Sequence, residues 1–179
     1  MDRAVTPSAF AELFRDHWPA VCAYVARRTR RAGVEDVAAE VFAIAWRRRE
    51  ELPDDPLPWL LRTARNLLLN QRRGDARRAA LPLRLGAIAA PYEPSSADAA
   101  LGRAEAQAVM AALARLGETE REVLMLIHWD GLSAVQAARV LGCSHVAART
   151  RLMRARRRLA AALDEDAAPS ESACVGEPS

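Results

Sequence analysis

The residues with the clearest chemical potential are six arginines within residues 149–158, a stretch that contains no aspartate or glutamate. Clustered guanidinium groups repel one another unless a polyanion lies nearby, so this run predicts contact with nucleic acid. The chain has no lysine. Every cationic side-chain contact is therefore made by guanidinium, which suits bidentate binding of phosphate and guanine. A solvated helix on the surface of some other kind of protein is the alternative interpretation.

The residues around this run predict the element that positions it, a helix-turn-helix over residues 133–158. Ser133 and Gln136 have the spacing of a capping box, which predicts a first helix from Ala134. Gly142 suits the left-handed position after that helix, and Ser144 suits the cap of the next one. In such motifs the second helix lies in the major groove of DNA.

Helical spacing divides the second helix into two faces. Ala148, Leu152, Ala155 and Leu159 recur on one face, which we expect to pack on the core. The opposite face and its flanks are expected to contact DNA, and they carry Ala147, Arg149, Thr150, Arg151, Met153, Arg154 and Arg157.

A second candidate surface lies on a helix predicted from Trp59 to about Arg73, after a proline-rich loop at 52–58. The core side of this helix is expected to hold Leu60, Ala64, Leu67, Leu68 and Gln71. The other side combines an aromatic ring, amides and arginines, which are groups that bind bases and phosphates. Its members are Trp59, Arg62, Thr63, Asn66, Asn70 and Arg73. Alternatively, Trp59 is a core residue at a helix start and the amides are ordinary surface.

Composition divides the 179 residues into helical blocks separated by a proline- and serine-containing stretch. We expect an all-α fold of two small helical domains joined by a flexible linker, because no strand pattern stands out. The expected segments are an N-terminal domain at 8–78, the linker at 79–98, a C-terminal helix-turn-helix domain at 99–163 and a disordered acidic tail at 164–179.

Three local signals place individual helices. Thr6 followed by Pro7 predicts the start of the first helix, and Pro19 predicts the start of a second helical piece. Thr119 and Glu122 have capping-box spacing, which predicts a helix start in the C-terminal block.

Several classes of protein are disfavoured by the sequence. It has no apolar stretch of membrane-spanning length and no apolar signal core, and its three cysteines are odd in number and far apart. We therefore expect a reduced, cytoplasmic protein with no membrane span of its own. There is no paired-carboxylate, Ser/His/Asp or phosphate-loop pattern, and no convincing metal-ligand spacing, so we expect neither an enzyme nor a metal or cofactor site.

Over roughly residues 8–163 the chain resembles bacterial RNA polymerase sigma factors of the extracytoplasmic-function group. Residues 34–42, VEDVAAEVF, are similar to the acidic run followed by an aromatic that is typical of that group. Residues 59–66, WLLRTARN, are similar to its WL-x-R-x-A-x-N helix, and 120–124, EREVL, precede the helix-turn-helix as they do there. Departures from the pattern are Ala39, where glutamine is frequent, and Val135 and Ala137, where acidic and bulkier aliphatic residues are common.

The resemblance implies a subunit that binds core RNA polymerase and directs promoter-specific transcription initiation. The N-terminal domain would dock on polymerase through Glu35, Asp36 and Glu40. It would open the −10 element with the Trp59 helix, and the 51–58 loop would help to hold a flipped base. The helix-turn-helix would read the −35 element through the arginine-rich face of its second helix. Promoter DNA and an anti-sigma protein are the further partners that the resemblance implies.

Two other classes of function remain open at this point. One is a stand-alone helix-turn-helix regulator whose first block senses a ligand or a partner. Such a sensor has no need of the strand-capturing face on the Trp59 helix, so that face discriminates against it. The other is a nucleic-acid enzyme, which lacks a supporting metal or acid–base constellation in the sequence.

Overall fold

The computed structural model describes residues 6–29, 33–79 and 101–167, and these residues form seven α-helices with no strand. In the N-terminal half, α1 spans Pro7–Ala26, α2 spans Val34–Arg47, a 3-10 turn spans Arg49–Glu51 and α3 spans Leu57–Ala79. In the C-terminal half, α4 spans Leu101–Arg115, α5 spans Glu118–His128, α6 spans Ala134–Leu141 and α7 spans His145–Ala167. The all-α fold class is confirmed.

The helix starts are partly those that the local signals predict. The hydroxyl of Thr6 accepts a hydrogen bond from the Ala9 N–H at 3.3 Å, which confirms the start of α1. The predicted second start at Pro19 is wrong, because α1 continues through that residue. Val21 and Tyr24, just beyond the proline, are fully buried, and their packing outweighs the lost backbone hydrogen bond.

The predicted capping box at Thr119 is also wrong. Helix α5 begins at Glu118 after Gly117, and no side chain caps it. The carboxylate of Glu122 accepts hydrogen bonds from Tyr24 and Arg28 of the N-terminal half. A contact with a distant part of the chain has therefore replaced the local interaction that the spacing predicts.

The local structure of the helix-turn-helix matches its sequence signals. The Ser133 hydroxyl accepts from the Gln136 N–H at 3.2 Å, and the Gln136 side chain accepts from the Ser133 N–H at 2.9 Å, so the capping box is complete. Gly142 ends α6 with φ of 67°, a left-handed conformation that favours glycine. The Ser144 hydroxyl accepts from the Ala147 N–H at 3.2 Å and caps α7.

Helix α3 begins at Leu57, two residues before the predicted start, and carries proline in its first turn. Its side chains at Leu60, Ala64 and Leu68 are buried, as predicted, but Gln71 is exposed and does not belong to the core. Leu68 is the last buried side chain of the described part of α3. Gln71 lies one turn further on, past the end of the core.

The predicted linker and tail fall largely outside the described residues. Of the linker at 79–98, only residue 79 is described, as the last residue of α3. Of the tail at 164–179, residues 164–167 belong to α7, which continues four residues past the predicted end of the domain. The remainder of the tail lies outside the described ranges.

The hydrophobic core joins the two halves of the chain. Its larger cluster contains buried residues of α1, α2 and α3 together with four residues of the C-terminal half: Leu126, Leu132, Ala137 and Val140. A smaller cluster lies within the C-terminal half and contains Leu113, Leu116, Val123, Leu124 and Ala155. The two domains are therefore packed against each other, an arrangement that the sequence did not predict.

Candidate nucleic-acid interface

Helix α7 presents the predicted face to the protein core. Ala148 and Ala155 are buried, with exposed fractions of 1% and 0%. Leu152 and Leu159 are half-buried and pack against the smaller hydrophobic cluster. The remaining surface of α7 is consequently available on the outside of the protein.

The outward surface of α7 carries free cationic groups. Arg149, Arg154 and Arg157 are exposed, and none forms an ion pair with another residue in the described ranges. Met153 is 66% exposed, whereas Thr150 and Arg151 are half-buried. The guanidinium groups that remain in water are positioned to meet a polyanion.

The fold compensates part of the arginine run that looked uncompensated in the sequence. The Nη1 atom of Arg158 lies 2.7 Å from a carboxylate oxygen of Glu120 on α5. The Nη2 atom of Arg156 lies 3.5 Å from Nε2 of His128, also on α5. These contacts hold α7 on α5 and leave the N-terminal part of the run for a ligand.

One exposed residue of α7 was missed by the sequence analysis. Val146 is 73% exposed, and it lines a shallow groove along α7 with Arg149, Thr150, Leu152, Met153 and Arg156. An apolar residue at the first turn of a helix gives no polar signal in the sequence, so it passed unnoticed. Its exposure on the candidate recognition helix indicates that its side chain can contact a ligand.

The predicted outer side of α3 is exposed at its polar residues. Arg62, Asn66, Asn70 and Arg73 are all exposed. Trp59 is half-buried and packs against the larger hydrophobic cluster, so that a part of its ring serves the core. The Thr63 hydroxyl donates to the Trp59 backbone carbonyl at 3.0 Å. The amides and guanidinium groups on this side of α3 are therefore more accessible to a ligand than the Trp59 ring is.

A separate acidic surface lies on α2. Glu35, Asp36 and Glu40 are exposed, and the small residue Ala39 is exposed between them. Glu35 and Asp36 lie in the first turn of α2, where the helix dipole favours negative charge. These carboxylates are thus on the outside of the N-terminal domain and in a position to bind a cationic partner.

The α3 region touches the helix-turn-helix directly. Oδ2 of Asp55, which lies just before α3, accepts from Gln136 Nε2 at 3.0 Å and from Arg139 Nη1 at 3.5 Å. The Nη2 atom of Arg62 lies 3.3 Å from the position that a Cβ would take on Gly142. The two candidate DNA-binding elements therefore meet along the α6 edge and its turn.

A buried polar cluster holds the end of α1 to α5 and the turn that follows it. We call it the Arg28 network, and its members are Tyr24, Arg27, Arg28, Glu122 and Asp130. The Arg28 Nε atom lies 3.0 Å from both Glu122 carboxylate oxygens, and its Nη2 atom lies 2.8 Å from Oδ2 of Asp130. The Tyr24 hydroxyl donates to Glu122 at 2.9 Å, and Arg27 donates to Asp130. Two guanidinium groups thus face two carboxylates across the domain boundary.

The network shifts the pKa values of Tyr24 and Arg28 upward. Burial raises the pKa of Tyr24 far above its usual value, and the neighbouring charge of Glu122 raises it further. Burial by itself lowers the pKa of Arg28, but the charge of Glu122 leads the effects that outweigh it, so the net shift is upward. Tyr24 therefore stays a neutral donor and Arg28 stays a cation over the ordinary pH range.

Comparison with known families and proteins places both halves of the chain. The family model described as Sigma-70 region 2 matches residues 13–78, and the model described as Sigma-70, region 4 matches residues 106–159.

In the structure, no helix within the described ranges has the length and apolar character needed to cross a bilayer.

Three curated proteins illustrate the similarity. The probable RNA polymerase sigma factor RfaY of Xanthomonas campestris is 38% identical over 131 residues, which is 70% of this chain and only 32% of that protein. The RNA polymerase sigma factor CnrH of Cupriavidus metallidurans is 34% identical over 74% of each chain. The ECF RNA polymerase sigma factor SigL of Mycobacterium tuberculosis is 31% identical over 86% of this chain and 88% of SigL.

A solved structure extends the comparison to three dimensions. The structure of CnrH in complex with the cytosolic domain of CnrY has a TM-score of 0.62 at 27% identity, covering 90% of this chain and 91% of that chain. The likeness therefore spans both helical halves and is not confined to the helix-turn-helix.

The raised pKa of Tyr24 predicts a loss of stability at alkaline pH. A group whose pKa is higher in the folded than in the unfolded chain stabilises the fold fully below its unfolded pKa. That stabilisation is lost as the pH rises through the range between the two values. We expect the free energy of unfolding to fall above pH 10, by up to about 1.4 kcal/mol per pH unit from this group.

Urea unfolding of the wild type and of Tyr24→Phe between pH 9 and 11.5 measures the effect. Every other titrating group is common to the two proteins, so the difference between their pH profiles isolates the Tyr24 phenol. Parallel pH profiles for the two proteins would contradict the prediction.

Proposed function

This chain belongs to the extracytoplasmic-function group of RNA polymerase sigma factors, and from that premise we propose how its parts divide the work of initiation. As a sigma factor, it directs transcription initiation by RNA polymerase. The N-terminal domain at 8–78 docks on polymerase and opens the −10 element, and the domain at 99–163 reads the −35 element. Residues 79–98 link the two domains. The observation that carries this division is that each domain exposes a cationic surface, on α3 in the first domain and on α7 in the second.

We assign −35 recognition to the outward surface of α7. Arg149, Arg154 and Arg157 are exposed and free of ion pairs within the described ranges, and a bidentate arginine–guanine contact discriminates by about 1–3 kcal/mol. Thr150, Arg151 and Met153 complete the surface. Arginines that meet phosphate add affinity that falls with salt and is independent of sequence.

The N-terminal residues of a recognition helix reach base edges, so we add Val146 to the −35 surface. Its side chain is exposed at the first turn of α7 and shares a groove with Arg149 and Met153. Apolar side chains in the major groove contact the thymine C5-methyl group. Val146 and Met153 therefore favour sites with thymine beneath this groove.

We assign −10 opening to the outer side of α3. Unstacking a base step costs a few kcal/mol. Base contacts must offset that cost, and each captured base contributes roughly 1–3 kcal/mol. Asn66 and Asn70 supply amides for base edges, and Arg62 and Arg73 supply guanidinium groups for the strand backbone. Trp59 and Thr63 lie on the same side, with Trp59 partly committed to the core.

We assign polymerase docking to the acidic surface of α2. Glu35, Asp36 and Glu40 are all exposed on α2. The cationic stripe lies on a different helix, α3. A carboxylate surface binds a basic partner and repels DNA. The two activities of the domain are thereby kept on different helices.

The regulatory partner that we propose is an anti-sigma protein. The relative CnrH has been captured in complex with the cytosolic domain of CnrY, and a protein of comparable role would bind this chain. We further propose that the chain acts in the cytoplasm, where promoter DNA and polymerase lie, and that nucleotide addition belongs to the polymerase. A stand-alone regulator is disfavoured, because a match to the Sigma-70 region 2 model at residues 13–78 precedes the helix-turn-helix.

In vitro transcription tests the proposed function. Sigma-free core polymerase and this protein are incubated with a library of promoter fragments, and transcript starts are mapped. We expect starts only when both proteins are present, at sites that share −35 and −10 sequences. Binding of the protein alone to duplex DNA without any polymerase-dependent transcript would favour the stand-alone regulator.

A matched variant separates docking from DNA binding in that assay. Asp36→Arg should reduce assembly with core polymerase at least ten-fold, because it replaces an exposed carboxylate with a cation. The −35 duplex selected by the wild-type holoenzyme should still bind α7 unaided. Normal assembly of the variant would place the docking surface elsewhere.

The role of Asn66 predicts a defect confined to strand opening. Asn66→Ala removes base-edge hydrogen bonds that form only after melting, so open complexes should decrease about ten-fold while closed complexes form normally. Permanganate footprinting measures the opening, and a template with a mismatched −10 bubble should restore transcription. Equal defects on closed and pre-melted templates would show that Asn66 does not bind the melted strand.

The role of Val146 predicts sensitivity to a single methyl group. Replacing thymine by deoxyuridine in the selected −35 duplex should weaken wild-type binding about three- to five-fold, since one buried methyl is worth about 0.8 kcal/mol. Val146→Ala should bind the thymine duplex about as weakly as the wild type binds the deoxyuridine duplex. Its affinity should not fall further when deoxyuridine replaces thymine. Val135→Ala, which alters another exposed valine on α6, should keep the full thymine preference. Additive losses in Val146→Ala would refute the contact.

A further inference from the structure

One arginine of the C-terminal domain is bound neither to an acid nor to the surrounding water alone. Arg121 of α5 is half-buried, and within the described ranges its guanidinium group forms no ion pair. It donates instead to three backbone carbonyls: Nε to Leu113 at 2.8 Å, and Nη2 to Ala114 at 2.9 Å and to Leu116 at 3.1 Å. Neither the proposed DNA contacts nor the Arg28 network accounts for this arrangement.

The three carbonyls belong to the end of α4 and to the residue that follows it. The last carbonyls of a helix have no N–H partner within the helix, and the helix dipole makes this end electronegative. A guanidinium group satisfies both conditions, because it carries a full positive charge and presents its donors in a planar fork. Arg121 therefore caps α4, although it belongs to the next helix.

The capped end of α4 is also part of the support for α7. Leu113 and Leu116 are buried in the smaller hydrophobic cluster with Ala155, and Leu152 and Leu159 of α7 pack against the same cluster. Both α4 and α5 pack on α7. Arg121 thus joins the two helices that support α7, at the corner where the chain turns from one to the other.

The roll of α7 about its own axis decides which base edges its outward surface can reach. Side-chain tips lie about 5–6 Å from the axis of a helix, so a roll of about 20° displaces them by about 2 Å. Hydrogen bonds to base edges do not survive such a displacement, because their donor–acceptor distances vary by only a few tenths of an ångström. Contacts with phosphate oxygens carry no sequence information, and long arginine side chains can form them from several positions.

We propose that Arg121 is a positioning residue for −35 recognition: by capping α4 it fixes the roll of α7, and so directs Val146 and Arg149 at base edges. The proposal rests on the proposed function of α7. It gives Arg121 an effect on specificity, which is the ratio of the affinities for the −35 sequence and for unrelated DNA. Lysine replaces it only in part, because an ammonium group is a compact point charge without the fork that spans three carbonyls.

A residue that only stabilised the domain would affect DNA binding differently. Partial unfolding lowers the fraction of binding-competent protein, so the affinities for all DNA sequences fall by the same factor. A folded but misdirected α7 loses its base contacts and keeps its phosphate contacts. The ratio of the two affinities therefore separates a positioning role from a purely stabilising one.

Fluorescence anisotropy with the full chain tests the proposal at one salt concentration. The probes are the −35 duplex selected by the wild-type holoenzyme and a scrambled duplex of equal length. In Arg121→Gln we expect the affinity for the selected duplex to fall about ten-fold, as for the loss of a base contact. The affinity for the scrambled duplex should stay within about two-fold, because phosphate contacts supply it. Arg121→Lys should lose about three-fold on the selected duplex, because it keeps the charge without the fork.

Arg115→Gln is the matched control. Arg115 is the last residue of α4 and pairs with Glu165 at 3.6 Å. The substitution removes a positive charge from the same end of α4 and leaves the three carbonyl bonds of Arg121 in place. We expect this variant to keep the specificity of the wild type.

Three results would overturn the proposal. Equal losses for both duplexes in Arg121→Gln would show that the residue only stabilises the domain. Unchanged affinities would show that the cap does not position α7. A loss of specificity in Arg115→Gln would assign the effect to charge and not to the carbonyl bonds. If circular dichroism shows that Arg121→Gln does not fold, Arg121→Lys decides by the same ratio.

A second measurement does not depend on DNA. The NMR methyl signals of Leu152 and Leu159 report how α7 packs on the smaller cluster, and they should shift more in Arg121→Gln than in Arg115→Gln. If the wild type directs no transcription with polymerase, the proposed function fails, and the methyl signals still show whether Arg121 sets the packing of α7. Methyl signals that stay in place in Arg121→Gln would contradict the positioning role.

Discussion

A guanidinium group that cannot lose its charge lies buried at the boundary of two domains. Arg28 is held in that place because Glu122 and Asp130, about a hundred residues further along the chain, supply two carboxylates to it. Removing either carboxylate would leave two guanidinium groups, those of Arg27 and Arg28, with a single acid between them, which is far more costly than losing an exposed ion pair. The matched charges therefore hold α5 and the turn after it near the end of α1, beside the direct packing of α6 on α3.

The packing of the two domains connects the two proposed DNA-binding surfaces, which would otherwise be independent. Helix α6 packs directly against α3, and in the same region Gln136 meets Asp55 and the turn at Gly142 meets Arg62. The recognition helix itself remains outside, and Met153 and Val146 stay largely exposed. The packing of the two domains thus covers part of α6 and leaves the outward surface of α7 exposed.

How far the sequence predicted this structure depends on the range of the interactions involved. The cap at Ser133, the left-handed Gly142 and the cap at Ser144 rest on neighbours within a few residues, and all three were predicted. The start at Pro19 and the core position of Gln71 were predicted wrongly. Helix α1 continues through Pro19 because the residues beyond it are buried. Gln71 is exposed because the buried core ends one turn earlier, at Leu68. The partners of Glu122 lie far away in sequence, so periodicity gives no sign of them. Val146 was missed because its exposure follows from how α7 packs on α5.

Arginine is the only side chain of constant positive charge in this chain, and it occurs in two contrasting environments. On α7, guanidinium groups without carboxylate partners among the described residues remain in water for a polyanion to bind. At Arg28 the same group is matched by two carboxylates and buried. Arg62 lies between these cases, being exposed on the proposed melting surface and yet close to the turn of the other domain. The difference lies in the carboxylates that the fold supplies. Where acids of the other domain meet arginine, as at Arg28, the ion pairs join the two domains. Where no described carboxylate meets it, as at Arg149 and Arg154, the charge remains exposed to solvent, and we propose that DNA binds it there.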